Sequence, residues 1–128
     1  MDGFLHFDGI SLRHCEVPEW YQVILRDGNE HGGDTREVLS RHGVHLDHQF
    51  GQDVDSVSVY NAGSRGHLVE YYDSSRLLAS IVIDDVAAYL EFRAKYLHAW
   101  AWLIGEMERI AEATNAEKPI GRQGRKWA

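Results

Sequence analysis

The sequence predicts an α+β domain: an antiparallel sheet of about five or six strands packed against one long C-terminal helix, plus one short helix. Three observations predict it. A hairpin signal stands at the N-terminus, three β-patterned runs follow one another between residues 55 and 84, and an apolar pattern of helical period runs from about 86 to 114.

The elements follow in chain order. In "FLHFDGISLRH" the Asp8-Gly9 pair suits a two-residue type I′ turn, and Leu5, Phe7, Ile10 and Leu12 alternate with polar residues. Pro18 interrupts pairing. "WYQVILRDGN" places Tyr21, Val23 and Leu25 in alternation before a turn at Asp27-Gly28-Asn29, so a strand is expected there. Asp34 with Glu37 three residues on is a capping-box variant that opens a helix of about two turns. Val38 and Leu39 are its apolar contacts, and Gly43 stands where a left-handed cap closes it. "VHLDHQFGQD" reads as loop or irregular strand. "DSVSVYN", "GHLVEYYD" and "SRLLASIVID" read as three strands separated by turn residues. The last is the most apolar and belongs inside the sheet. Asp84 or Asp85 then caps the long helix, of about 30 residues and about 45 Å. Gly105 in its middle costs about 1 kcal/mol relative to alanine.

Residues 1–116 make one domain, a usual size for 128 residues, and 117–128 a basic tail carrying Arg122, Arg125, Lys126 and Trp127. One cysteine, Cys15, excludes an internal disulfide framework. The first residues lack a signal peptide's apolar run, and "LHAWAWLIG" falls far short of the roughly 20 residues of a membrane span. A cytoplasmic protein with no membrane contact is expected. The formal charge is −7, split as +3 in residues 117–128 and −10 before them. That balance argues against nucleic acid as a partner, except through the basic tail.

The long helix carries two apolar stripes. Val86, Leu90, Leu97, Trp100, Ile104 and Met107 form one, and Tyr89, Phe92, Tyr96, Leu103 and Ile110 the other. Together they span about 160°, more than the roughly 100° a surface helix needs. The sheet would cover one stripe and a second copy of the chain the other. The expected homodimer interface is therefore Val86, Leu90, Arg93, Leu97, Trp100, Ile104 and Met107, with Glu108 of the crossing helix as mate to Arg93. A strongly curved sheet covering both stripes is the alternative. Trp102 points away from both, among Glu91, Lys95, His98, Glu106 and Arg109. An aromatic anchor with a charged rim is the pattern of a protein-binding patch.

Chemistry is densest in "RHGVHLDH". His42, His45, Asp47 and His48 have the donor types of a divalent-metal site, which needs three or four ligands at about 2 Å from one point. In an extended chain His45 and Asp47 share one face and His48 takes the other, so a solvated loop competes with the site. His14 and Cys15 are neighbours on a strand and face opposite ways, so they make no nucleophile–base pair. Glu70 and Asp73 are a possible carboxylate pair at a strand end.

No catalytic set is complete. The expectation is a small acidic non-enzymatic protein that occupies a partner protein, of inhibitor, immunity, antitoxin or phage anti-defence type, with no cofactor. The alternatives are a small metal-dependent hydrolase using His42–His48, a dimeric binder of a small anionic ligand such as a nucleotide, and a structural subunit of a viral or secretion assembly.

Overall fold

The computed structural model describes residues 3–7, 10–15, 18–32, 34–51, 56–74, 76–96 and 100–117. The tail residues Arg122, Arg125, Lys126 and Trp127 lie outside them. Six strands form one sheet: β1 (Gly3–Phe7), β2 (Ile10–Cys15), β3 (His45–Gly51), β4 (Ser56–Asn61), β5 (His67–Asp73) and β6 (Arg76–Ile83). Their order is β1-β2-β6-β5-β4-β3, and every neighbouring pair is antiparallel. The most apolar run, β6, is an interior strand, as its composition requires.

Both faces of the sheet are covered. On one, Leu5, Leu12, Val57, Val59, Val69, Ile81 and Ile83 pack against Tyr89 and Phe92 of α3 (Val86–Tyr96) and Leu103 and Met107 of α4 (Trp100–Glu117). On the other, Tyr60, Leu68 and Val82 pack against Tyr21, Ile24 and Leu25 of α1 (Glu19–His31) and Val38 and Leu39 of α2 (Thr35–Arg41). The domain is α+β in three layers. Among the described residues no helix is long and apolar enough to cross a membrane.

Two elements depart from expectation. The segment expected as a strand, 20–25, is helical. Its buried residues are Tyr21, Ile24, Leu25 and Gly28, which is spacing i, i+3, i+4, i+7. Pro18 stands at the N-cap, and its carbonyl accepts from the Tyr21 and Gln22 N–H groups. The sixth strand is instead β3, in the segment expected as loop or irregular strand. Its ladder with β4 shifts register between Leu46 and His48, so Asp47 is an extra residue there.

The single long C-terminal helix is also corrected. Phe92 and Trp102 have ring centroids 5.4 Å apart. Ten residues of straight helix separate Cα atoms by about 15 Å, too far for two rings to touch. The described helices α3 and α4 are therefore not one straight rod. The Ala88 N–H donates to Asp85 Oδ1 at 3.0 Å, which caps α3.

Two glycines do specific work. Gly43 (φ +77) closes α2: its N–H reaches the Ser40 carbonyl and the Val44 N–H the Leu39 carbonyl, both at 3.0 Å. Asp34 occupies the N-cap but makes no side-chain capping bond. Gly66 (φ +110) lies so close to β6 that an added Cβ would stand 2.5 Å from the Ile83 carbonyl oxygen.

Candidate functional site

The histidine-rich stretch does not converge on one point. His42 Nε2 lies 2.7 Å from Asp27 Oδ2 on α1. That hydrogen bond holds the Asp27 carboxyl below its ordinary value. Asp47 accepts from Arg93 Nε at 3.1 Å, a tie from β3 to α3. His45 is exposed, 3.4 Å from Ser40 Oγ. The β3 register shift returns His48 to the side of Asp47, where it leans on Phe50 with centroids 5.5 Å apart. Among the described residues, no three metal-ligating side chains are gathered to hold an ion. The expected split of His48 from Asp47 is thus reversed by the bulge, yet the four still serve separate contacts. Asp53 and Asp55, acids close enough in sequence to complete such a site were the loop to fold back, lie outside the described residues.

The helix surface assigned to a second copy is covered in part within one chain. Met107 is fully buried, and Ile104 is half-buried against the same core. Val86 is half-buried, and Leu90 is 50% exposed. Arg93 finds its carboxylate on β3 rather than in Glu108 of a crossing helix. The side chains of Leu97 and Trp100 lie outside those described, as do those of Lys95 and His98 in the charged patch. Trp102 does not stand out among charges. It is half-buried and packs on the core through Phe92. Arg109 turns to Glu106 on its own helix, and Glu91 is exposed. The physical reason is the departure from one straight rod: a single helical wheel carried from 86 to 114 misplaces the flank on which the indole falls.

The fold brings together two sets of polar groups; sequence reasoning named Glu70, His14 and His45 among them but neither arrangement. Glu70 on β5 is wholly buried under α1. The Tyr21 hydroxyl donates to its Oε2 at 2.7 Å and the Tyr72 hydroxyl to its Oε1 at 2.8 Å. Burial, and then the Glu70 charge, push Tyr60 up to about 12 and Tyr72 higher still. These tyrosines remain protonated donors at any physiological pH. Glu70 is therefore a core carboxylate held by two tyrosine hydroxyls, whereas Asp73, expected as its pair, is half-buried at the end of β5.

The second cluster comes from register alone. His45, Asn61, His67, Ile83, His14 and Gly3 lie opposite one another in a row across the sheet. In its middle His67 is 2% exposed and stacks on Tyr89 of α3, centroids 4.1 Å apart. Among the described residues neither His67 Nδ1, Tyr89 Oη nor Asp84 Oδ1 has a hydrogen-bond partner. Asp84 binds Arg13 through its other oxygen. Burial lowers the His67 pKa, against the pull of Asp47 and with the push of Arg93. Such a row needs the pairing of distant strands, which no local motif records.

The surface holds a third feature. On the face covered elsewhere by α1 and α2, the β1–β2 ribbon presents Phe4 and His6. Phe4 is 55% exposed, more than any other large hydrophobic among the described residues. Its ring stacks on His6, centroids 5.9 Å apart and planes at 17°. His6 Nδ1 is 2.9 Å from Ser11 Oγ on the paired strand, and Arg13 lies opposite Phe4. The α1–α2 core reaches Cys15 of β2 but includes no described residue of β1. The alternation that sends Leu5 and Leu12 inward already implied that Phe4 and His6 face out.

The class these features define is a three-layer α+β domain with internally committed titratable groups and an aromatic edge ribbon. Comparison with protein-family models, curated proteins and solved structures finds no match to this chain.

Proposed function

We propose that the chain is a small acidic protein-binding module that acts by occupying a partner's surface, in the class of inhibitors, immunity proteins, antitoxins and phage anti-defence proteins. The observation that carries this reading is Phe4, an aromatic more than half exposed on an edge strand and held in place by stacking on His6. A large hydrophobic anchor beside polar groups is how binding surfaces concentrate energy. The groups a hydrolase would need support the same reading, because Asp47, His42 and Glu70 are each engaged in a structural contact. The docking surface is thereby moved from Trp102 to the β1–β2 ribbon.

The test is capture from a lysate of the source organism with wild type, Phe4→Ala and Trp102→Ala, read by mass spectrometry. The reading expects a specific protein held by wild type, lost with Phe4→Ala at unchanged circular dichroism, and kept by a folded Trp102→Ala. A protein retained equally by Phe4→Ala would move the surface elsewhere, and turnover of a substrate by the purified chain would reject the class.

A further inference from the structure

We infer that the outer edge of β1, which no described strand pairs, is a strand-addition site, and that its partner is an extended segment of another protein with basic residues at its ends. This rests on the proposed binding role and adds how the partner is held and what it is made of.

The backbone gives the first argument. Phe7 pairs with Ile10 across a two-residue connection, the position of a hydrogen-bonded pair in such hairpins. Alternation makes Phe4–Arg13 and His6–Ser11 non-hydrogen-bonded pairs, so the N–H and C=O groups of Phe4 and His6 point outward from the sheet. A partner's backbone in extended form matches that spacing. A helix does not, because its own backbone groups are already paired.

The second argument is the contrast between the two outer strands. β3 carries a register shift at Asp47 and a left-handed Gly51 (φ +103). Bulges and inserted charges are devices that spoil an edge for pairing. β1 has neither: it runs in unbroken register from Gly3 to Phe7 and contains no charged residue of its own except His6 when protonated, no proline and no lysine. Its shortness is its one protective feature.

The third argument selects the occupant. In sequence, β1 is bracketed by Asp2 and Asp8, and the whole chain carries −7. Self-pairing along this edge would bring together two chains of −7, each with its β1 segment bracketed by acids in sequence, which like-charge repulsion disfavours. Five paired residues also bury too little for a stable dimer by themselves, which needs about 1,200 Å² or more in total. A segment flanked by lysine or arginine complements that negative charge. Beside the ribbon, its outward side chains would lie along the Phe4–His6 stack.

The probes are two fluorescein-labelled peptides, Lys-Val-Thr-Val-Thr-Val-Lys and the same peptide with glutamate at both ends, titrated with the full chain. The expected result is saturable binding of the lysine peptide with a Kd of roughly 10–100 μM, and at least about tenfold weaker binding of the glutamate peptide. His6→Pro should remove the binding, because proline deletes an outward N–H that the fold itself does not use. Should that variant lose its circular dichroism signal, amide exchange on wild type decides instead: the Phe4 and His6 N–H groups should slow with the lysine peptide bound. No saturable binding of either peptide, equal binding of both, or unchanged exchange at Phe4 and His6 overturns the inference. Loss of the lysate partner with Phe4→Ala but not with a folded His6→Pro would leave the binding role standing and remove strand addition alone.

Discussion

Tyr21 shows how far one side chain can matter. Its ring lies in the α1 core while its hydroxyl reaches across to a buried carboxylate. Tyr21→Phe keeps the ring and strips one donor from Glu70. The expected cost is about 1.5–3 kcal/mol in urea unfolding, because a hydrogen bond to a buried acidic group is lost without water to replace it. Tyr72→Phe should cost less, since Tyr72 is only half-buried. His67 sets a pH dependence with a definite sign. Its folded pKa is below the ordinary imidazole value of 6.5. The unfolded chain therefore takes up the proton first, and stability present above pH 6.5 is lost as pH falls from 6.5 through the folded pKa. Thermal unfolding from pH 7.5 to 5 should show this fall, and His67→Gln should flatten that part of it. An undiminished slope in a folded His67→Gln would assign the dependence to other groups. Neither residue stood out in the sequence. Glu70 and Tyr21 are 49 positions apart, and only the packing of α1 on β5 joins them. The reverse holds for His42, His45, Asp47 and His48, whose closeness in sequence carried no convergence in space.

At the level of elements, periodicity located most of the architecture. The hairpin, the three-strand meander, the short helix with its Gly43 cap and the interior place of β6 all follow from local pattern. The segment after Pro18 shows where pattern fails. Tyr21, Val23 and Leu25 alternate, yet Tyr21, Ile24 and Leu25 also share a helical face, and packing on the sheet selected the helix. Val23, which a strand would have turned inward, is 41% exposed. Glycines test the elements most simply. Gly105 is exposed on α4, and an added Cβ would meet nothing within 4 Å. Gly105→Ala should therefore raise stability by about 0.5–1 kcal/mol in chemical denaturation. Gly66→Ala should do the opposite, by about 2 kcal/mol or more, because its φ is left-handed and the Ile83 carbonyl blocks the methyl group.

At the scale of the whole molecule, the sheet covers one flank of the C-terminal helices, as the two-stripe pattern requires. Tyr89, Phe92, Leu103 and Met107 are covered by the sheet of their own chain. Of the stripe assigned to a second copy, Met107 alone among the described residues is buried and Leu90 is 50% exposed, so crossing helices keep a surface to meet on, whereas the acids bracketing β1 in sequence argue against pairing through that edge. Light scattering at micromolar concentration decides the matter: a mass of two chains supports crossing helices, and a mass of one chain rejects them. The strength of the overall charge, −7, also gives a salt dependence: binding of the lysine-flanked peptide should weaken as ionic strength rises, whereas Phe4→Ala should weaken it at all salt concentrations.

Among the described residues the β1–β2 ribbon joins the rest of the sheet through two residue pairs, His14 with Ile83 and Cys15 with Val82. Cys15 and Val82 are 67 positions apart. During synthesis the ribbon thus emerges early and has nowhere to dock until the sixth strand has been made. The first two strands translated are among the last to find their seat, and until then the nascent chain carries an unsupported hairpin whose free side faces whatever the cell offers it.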